Sequence, residues 1–212
     1  MALATATLTI NSYPTGSDNT QRFSRHFGRA AVGASALTYT AGGIRINFAA
    51  LEPLKTGPPY LLPVWMDVYS FAGSGYDYNW NPLGPTITNL ALTSNVITIT
   101  AKNNLAAGDV VVLSGLTTTT ALNGISLTVL AGSLSATGFT ANFTHANIGT
   151  AAETGNATPT LYASGLPFQG NLQIFTTGSA AQSALAELAN GAVPAAVSGD
   201  VIGFRAEFAR YN

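Results

Sequence analysis

At Gly84 the composition of the chain changes, and it stays changed until about Leu161. Residues 85–160 hold 17 of the 27 threonines and only three formally charged side chains, Lys102, Asp109 and Glu153. Short β-forming runs recur through this block. Val96, Thr98 and Thr100 alternate with Ile97 and Ile99, and an Ala-Gly turn precedes the apolar run Asp109–Leu113. Asn123-Gly124 is a tight-turn signal, and Ile125–Leu130 and Gly138–Phe143 follow it. About five short strands separated by turns predict a small all-β domain, a sandwich or open barrel. Pro82 and Gly84 mark an exposed turn, the kind of place that accepts an inserted domain. The chain therefore divides into a discontinuous host domain, 1–84 and 161–212, and an insertion, 85–160.

The host segments share the β signature. Residues 3–11 alternate Leu3, Thr5, Thr7 and Thr9 with Ala4, Ala6, Leu8 and Ile10, which fits a strand or an extended arm. The run 21–32, QRFSRHFGRAAV, fits a strand, with a short helix as the alternative. A hairpin is expected between 36–40 and 44–51 across Ala41-Gly42-Gly43, with Ile44, Ile46 and Phe48 inward. Within 61–71, Val64, Met66 and Val68 occupy one face and Trp65, Asp67 and Tyr69 the other. Tyr76, Tyr78 and Trp80 alternate with Asp77, Asn79 and Asn81, and this strand is expected to pair with Leu172–Thr176 as a hairpin interrupted by the insertion. Ser179–Asn190 reads as one short helix, with Ser179 and Gln182 as a capping box, an apolar face of Ala181, Ala184, Leu185 and Leu188, and Gly191 as a stop. The last strand, Val201–Phe208, directs Ile202, Phe204, Ala206 and Phe208 to the core. The fold class is mainly β: a β-sandwich or jelly-roll-like host with one short helix, plus an inserted small all-β domain.

Composition narrows the function classes. Hydrophobic residues make up 47% of the 212 residues and charged residues 8%, so the chain should fold rather than stay disordered. The two lysines and six arginines are scattered, which excludes nucleic acid as a main partner. There is no cysteine, so disulfides and thiolate metal sites are excluded. No run approaches the roughly 20 apolar residues of a membrane helix. The start MALATATLTINSY lacks the basic and apolar regions of a signal peptide, and assembly in a cytoplasm is expected. A surface of short neutral polar residues suits contact with other protein subunits, because few charges need desolvation there.

No catalytic, cofactor or metal constellation emerges. His26 and His145 fall in different domains, without an acid or second histidine at ligand spacing. Asp67 and Asp77 could face each other on adjacent strands as paired carboxylates, though a salt bridge or plain exposure explains them as well. Tyr69, Tyr76, Tyr78 and Trp80 form an aromatic row that suits either a subunit interface or stacking on a glycan. Arg22, Arg25 and Arg29 could hold acidic loops of a capsid or subunit partner.

The pattern YDYNWNP, then GNLQIF, then ELANGAVPAAVSGDVIGFRAEF, resembles small structural proteins of tailed bacteriophages, head decoration or minor structural proteins among them. RAAVGASALTYTAGGIRINF resembles their N-terminal half. The run from VITITAKNNL to ATGFTANF resembles a small β module found in phage virion proteins. The resemblance implies a virion structural protein on the capsid surface, made in the host bacterial cytoplasm. It implies a non-enzymatic decoration or cement role, with the major capsid protein and other copies of the chain as partners. A homotrimer would match local threefold axes, and residues 1–12 could act as an arm. Two alternatives remain at this point: a tail or fibre-associated protein that binds host-surface glycan, and a carbohydrate-binding accessory module or hydrolase.

Overall fold

The computed structural model describes residues 4–5, 8–12, 19–20, 23–33, 37–48, 63–71, 73–176 and 185–209, with side chains described from Phe27 to Phe208. In chain order the strands are β1 (Ala4–Thr5), β2 (Leu8–Ser12), β3 (Asn19–Thr20), β4 (Phe23–Val32), β5 (Leu37–Tyr39), β6 (Ile44–Arg45), β7 (Trp65–Ser70) and β8 (Tyr76–Asn81). They continue as β9 (Thr86–Thr93), β10 (Val96–Ala101), β11 (Val110–Ser114), β12 (Ser126–Thr128), β13 (Gly138–Asn142) and β14 (Ile148–Leu161). The last four are β15 (Asn171–Thr176), β16 (Ala186–Glu187), β17 (Gly191–Ala192) and β18 (Val201–Ala209). The protein is mainly β; a 3₁₀ turn at Thr120–Leu122 stands between β11 and β12.

Two compact units emerge: Met1–Pro82 with Gln169–Asn212, and Leu83–Phe168. The second unit starts two residues before the expected insertion and ends eight residues after it. The first unit carries a sheet in the order β2-β4-β18-β7, with β3 beside β4, and a second sheet in which β15 is central. Antiparallel pairing along β18 is long, nine residue pairs with β4 and six with β7. β8 pairs with β15 from Asn81↔Asn171 to Tyr76↔Thr176, which is the expected interrupted hairpin. On the opposite edge of β15 lie β6 and β16. A small third sheet joins β1, β5 and β17.

Alternation explains which side chains fill the core. Ile202, Phe204, Ala206 and Phe208 of β18 meet Ile46, Phe48, Leu172 and Ile174 in one buried cluster. Phe48 lies edge-on to Phe208, with ring centroids 5.4 Å apart, and tilted against Phe204 at 5.6 Å. Two tyrosine–carboxylate contacts tie the framework together. Tyr39 Oη donates to Glu187 Oε1 at 2.8 Å, and Tyr78 Oη donates to Asp200 Oδ2 at 2.6 Å. Burial, reinforced by the adjacent carboxylate, pushes both phenols above the ordinary tyrosine range.

Two expectations fail here. β5 and β6 do not pair with each other: the turn at Gly42-Gly43 passes the chain from the β1-β5-β17 sheet to the β15 sheet. Ile44, Ile46 and Phe48 are still buried, although regular pairing ends at Arg45. The helix expected over Ser179–Asn190 is absent from its described part, since Ala186–Glu187 pairs with Phe175–Thr176 instead. Glu187 accepts from both Tyr39 Oη and Gly42 N there, and these contacts outweigh a local helical preference. The first part of that helix, residues 179–184, lies outside the described residues, as do 49–51 of the expected second hairpin arm.

The second unit is a six-stranded sheet, β12-β11-β14-β9-β10-β13, that curls until its edges meet. Val129 bridges to Ala141, and Leu130 N donates to Thr140 O at 2.9 Å, so the barrel is nearly closed. Ile87, Leu90, Leu92, Ile97, Ile99, Leu113 and Phe139 fill it. Ser94 and Asn95, both left-handed, form the two-residue turn between β9 and β10. Its two buried acids brace loops. Asp109 accepts from Ala106 N and Ala163 N. Glu153 accepts from Thr117 N, Thr118 N, Thr119 N and Thr119 Oγ1. Burial alone would raise the pKa of Glu153, but the four hydrogen bonds outweigh it and hold the carboxyl below its ordinary range.

Candidate functional site

The outer face of the β4-β18-β7 sheet is the most distinctive surface among the described residues. Alternation that buries Ile202, Phe204 and Ala206 necessarily turns Gly203, Arg205 and Glu207 outward. By register, Gly203 lies between Arg29 and Tyr69, and Arg205 lies between Phe27 and Asp67. Trp65 lies beside Glu207. Phe27, Trp65, Tyr69 and Phe71 are each more than 40% exposed, far above a core residue.

The arginines organise these rings. The Arg205 guanidinium lies 5.6 Å from the Phe27 ring centroid and 5.4 Å from that of Trp65. Arg29 stacks over Phe71 at 4.7 Å, and Tyr69 meets Phe71 edge-on at 5.1 Å. Such cation–π contacts hold long side chains in one place. Gly203 makes the arrangement sterically open, because a Cβ there would overlap the Tyr69 and Phe71 rings. Glu207 approaches Arg205 only to 3.8 Å, beyond hydrogen-bond range.

The sequence-predicted residues divide between this face and the core. Arg29 and Tyr69 belong to the face. Arg25 stands on β4 opposite Glu207, with its side chain outside the described set, and Arg22 lies outside the described residues altogether. Tyr76, Tyr78 and Trp80 do not continue a row with Tyr69. They sit on β8 with their side toward the core: Tyr78 is buried and Tyr76 and Trp80 pack against the buried cluster. The indole N–H of Trp80 donates to Gln169 O at 3.2 Å. The expected aromatic platform is therefore corrected to two separate sets, because β7 and β8 belong to different sheets. For the same reason Asp67 and Asp77 are not cross-strand partners; Asp67 pairs in register with Arg205 and Asp77 with Phe175. His145 is exposed and stacks on Phe143 at 5.8 Å, while the His26 side chain is outside the described set. Phe27, Trp65, Phe71, Gly203 and Arg205 escaped the sequence reading as a site. Their strands and outward parity were readable, but their adjacency was not.

No group of three or more His, Asp or Glu residues suited to a metal occurs among the described residues, and no helix there is long and apolar enough to cross a membrane. Comparison with protein-family models, characterised proteins and solved structures finds no match to this chain.

Proposed function

We propose that the chain is a virion structural protein, a capsid decoration or cement protein that binds the outside of a phage head and bridges capsid subunits. The observation that carries this reading is the exposed aromatic–arginine face of the discontinuous unit. It has the composition of a protein-binding surface, in which Trp, Tyr and Arg supply most of the contact energy. The sequence resemblance to phage head proteins supports the same assignment. The role is adhesive: a folded β framework holds capsid subunits together by covering apolar and neutral polar surface, and it performs no chemistry. The major capsid protein is the partner, and the capsid surface is the site of action.

The glycan-binding alternative loses its main support, since Tyr76, Tyr78 and Trp80 face the core and the Phe27, Trp65 and Phe71 rings are stacked by guanidinium groups. Gold-labelled antibody against the chain, applied to intact particles, tests the assignment. Label over the head is the expected result; label confined to the tail, or none on particles, overturns it.

A further inference from the structure

We infer that the β4-β18-β7 face pairs with the same face of a second copy of the chain across a two-fold axis. Among the described residues, five of the eight exposed large hydrophobic side chains, Phe27, Val64, Trp65, Tyr69 and Phe71, lie on or beside this face. An exposed cluster of this kind in an otherwise weakly charged protein marks an interaction surface.

The charges on the face identify the occupant. Its described side chains include two cations, Arg29 and Arg205, and two carboxylates, Asp67 and Glu207. Register adds Arg25 beside Glu207, so the face mixes three cations with two carboxylates, and a surface carrying both signs complements itself where opposite signs meet across a two-fold axis. The stacked guanidinium groups also occupy ring faces that a sugar would need.

Register supplies the geometry. Arg205 and Asp67 stand directly opposite each other on β18 and β7. Yet Arg205 leans between Phe27 and Trp65, and Asp67 has no hydrogen-bond or ion-pair partner among the described residues. A two-fold axis parallel to the strands, midway between β18 and β7, places each β18 over the other copy's β7. Rotation about such an axis preserves height along the strands. Arg205 of one copy then faces Asp67 of the other, and the same pair recurs reciprocally, as an isologous interface requires. The aligned sheets would pack in the way sandwich sheets do. In the rows on either side, Tyr69 and Phe71, which lie over their own Gly203, meet the same rings of the second copy, and Trp65 stands opposite Glu207 of the second copy. The inference gives to a second copy the face that carries the capsid-binding reading, so the two compete for one surface: a dimer leaves the virion assignment resting on the sequence resemblance, and a monomer leaves the face free for the capsid.

Light scattering on the full-length chain after size-exclusion chromatography, over a concentration series, tests it. The wild type should be a dimer. Arg205→Glu and Asp67→Arg should each weaken association by about 100-fold or more, since each sets like charges against each other twice. An equimolar mixture of the two variants should dimerise again. Each variant chain alone still carries its own like-charge neighbours, so only pairing between chains can produce that rescue. Tyr69→Ser, which changes no charge, should also weaken the dimer and decides the matter if the charge variants misfold by circular dichroism. Asn79→Glu, exposed on β8 outside this face, should leave the dimer intact. A monomeric or trimeric wild type overturns the inference, as does a mixture that stays monomeric. Glycan binding by a monomer that is abolished by Tyr69→Ser would also overturn it.

Discussion

The two units solve the same problem, how to end a β-sheet, in different ways. The inserted unit rolls its sheet until β12 and β13 touch, leaving almost no free edge. Its exposed residues are largely short and polar apart from Leu83 and Leu161, and of its three charged residues only Lys102 is exposed, because Asp109 and Glu153 are spent on loops. The discontinuous unit stacks open sheets on a shared core and leaves an aromatic–arginine face outward. The contrast locates the unfinished contact surface. The closed barrel satisfies itself, whereas the host sheet still has apolar area to cover.

The most severe way to break the contrast is to empty one core and watch the other. Phe204→Ala removes a ring packed on Phe48 and should cost about 3–5 kcal/mol. Hydrogen exchange should show protection falling in β4, β15 and β18 while β9–β11 keep theirs; equal loss in both units would show that the cores are not separate. Glu153→Gln acts only on the barrel. It leaves an amide nitrogen facing N–H donors at the Thr117–Thr119 loop, at a cost of about 1–3 kcal/mol in thermal melts at neutral pH. The folded pKa of Glu153 lies below the ordinary carboxylate value, so its stabilisation is present above that value and lost as pH falls through the folded pKa. The gap between variant and wild type should therefore narrow in acid, and a constant gap would exclude charge as the cause. Thr98→Ala, on the exposed barrel surface, should change stability by no more than about 0.5 kcal/mol in a denaturant melt. A larger loss would mean that the barrel exterior is itself a contact surface.

How much of this was readable depended on side-chain size. β7, β10 and β18 alternate large apolar with polar residues, and their faces follow from parity. β14, the longest strand, was missed because its buried positions within 153–159 are Glu153, Gly155, Ala157 and Pro159. Those residues carry no hydrophobic alternation, and only close packing between neighbouring strands makes them a core face. Gly155 shows the reason, since a Cβ there would press on Ser114 O and Leu116. Leu185 and Leu188 erred the other way: helical spacing was present, but Leu188 N donates to Ile174 O and Glu187 binds Tyr39. The outer face required knowing that β18 lies between β4 and β7, a fact about strands some 40 to 180 residues apart, which no local pattern carries.

The interrupted hairpin has a consequence for the order of events during synthesis. β8 leaves the ribosome long before β15, and bringing them together as a flexible loop would carry a large closure entropy. All six barrel strands emerge in that interval, and the first and last of them, β9 and β14, lie side by side. Leu83 O accepts from Thr158 Oγ1, so the entering and leaving segments are also held near each other. A barrel that folds as it emerges thus converts a long open loop into a short preformed connector.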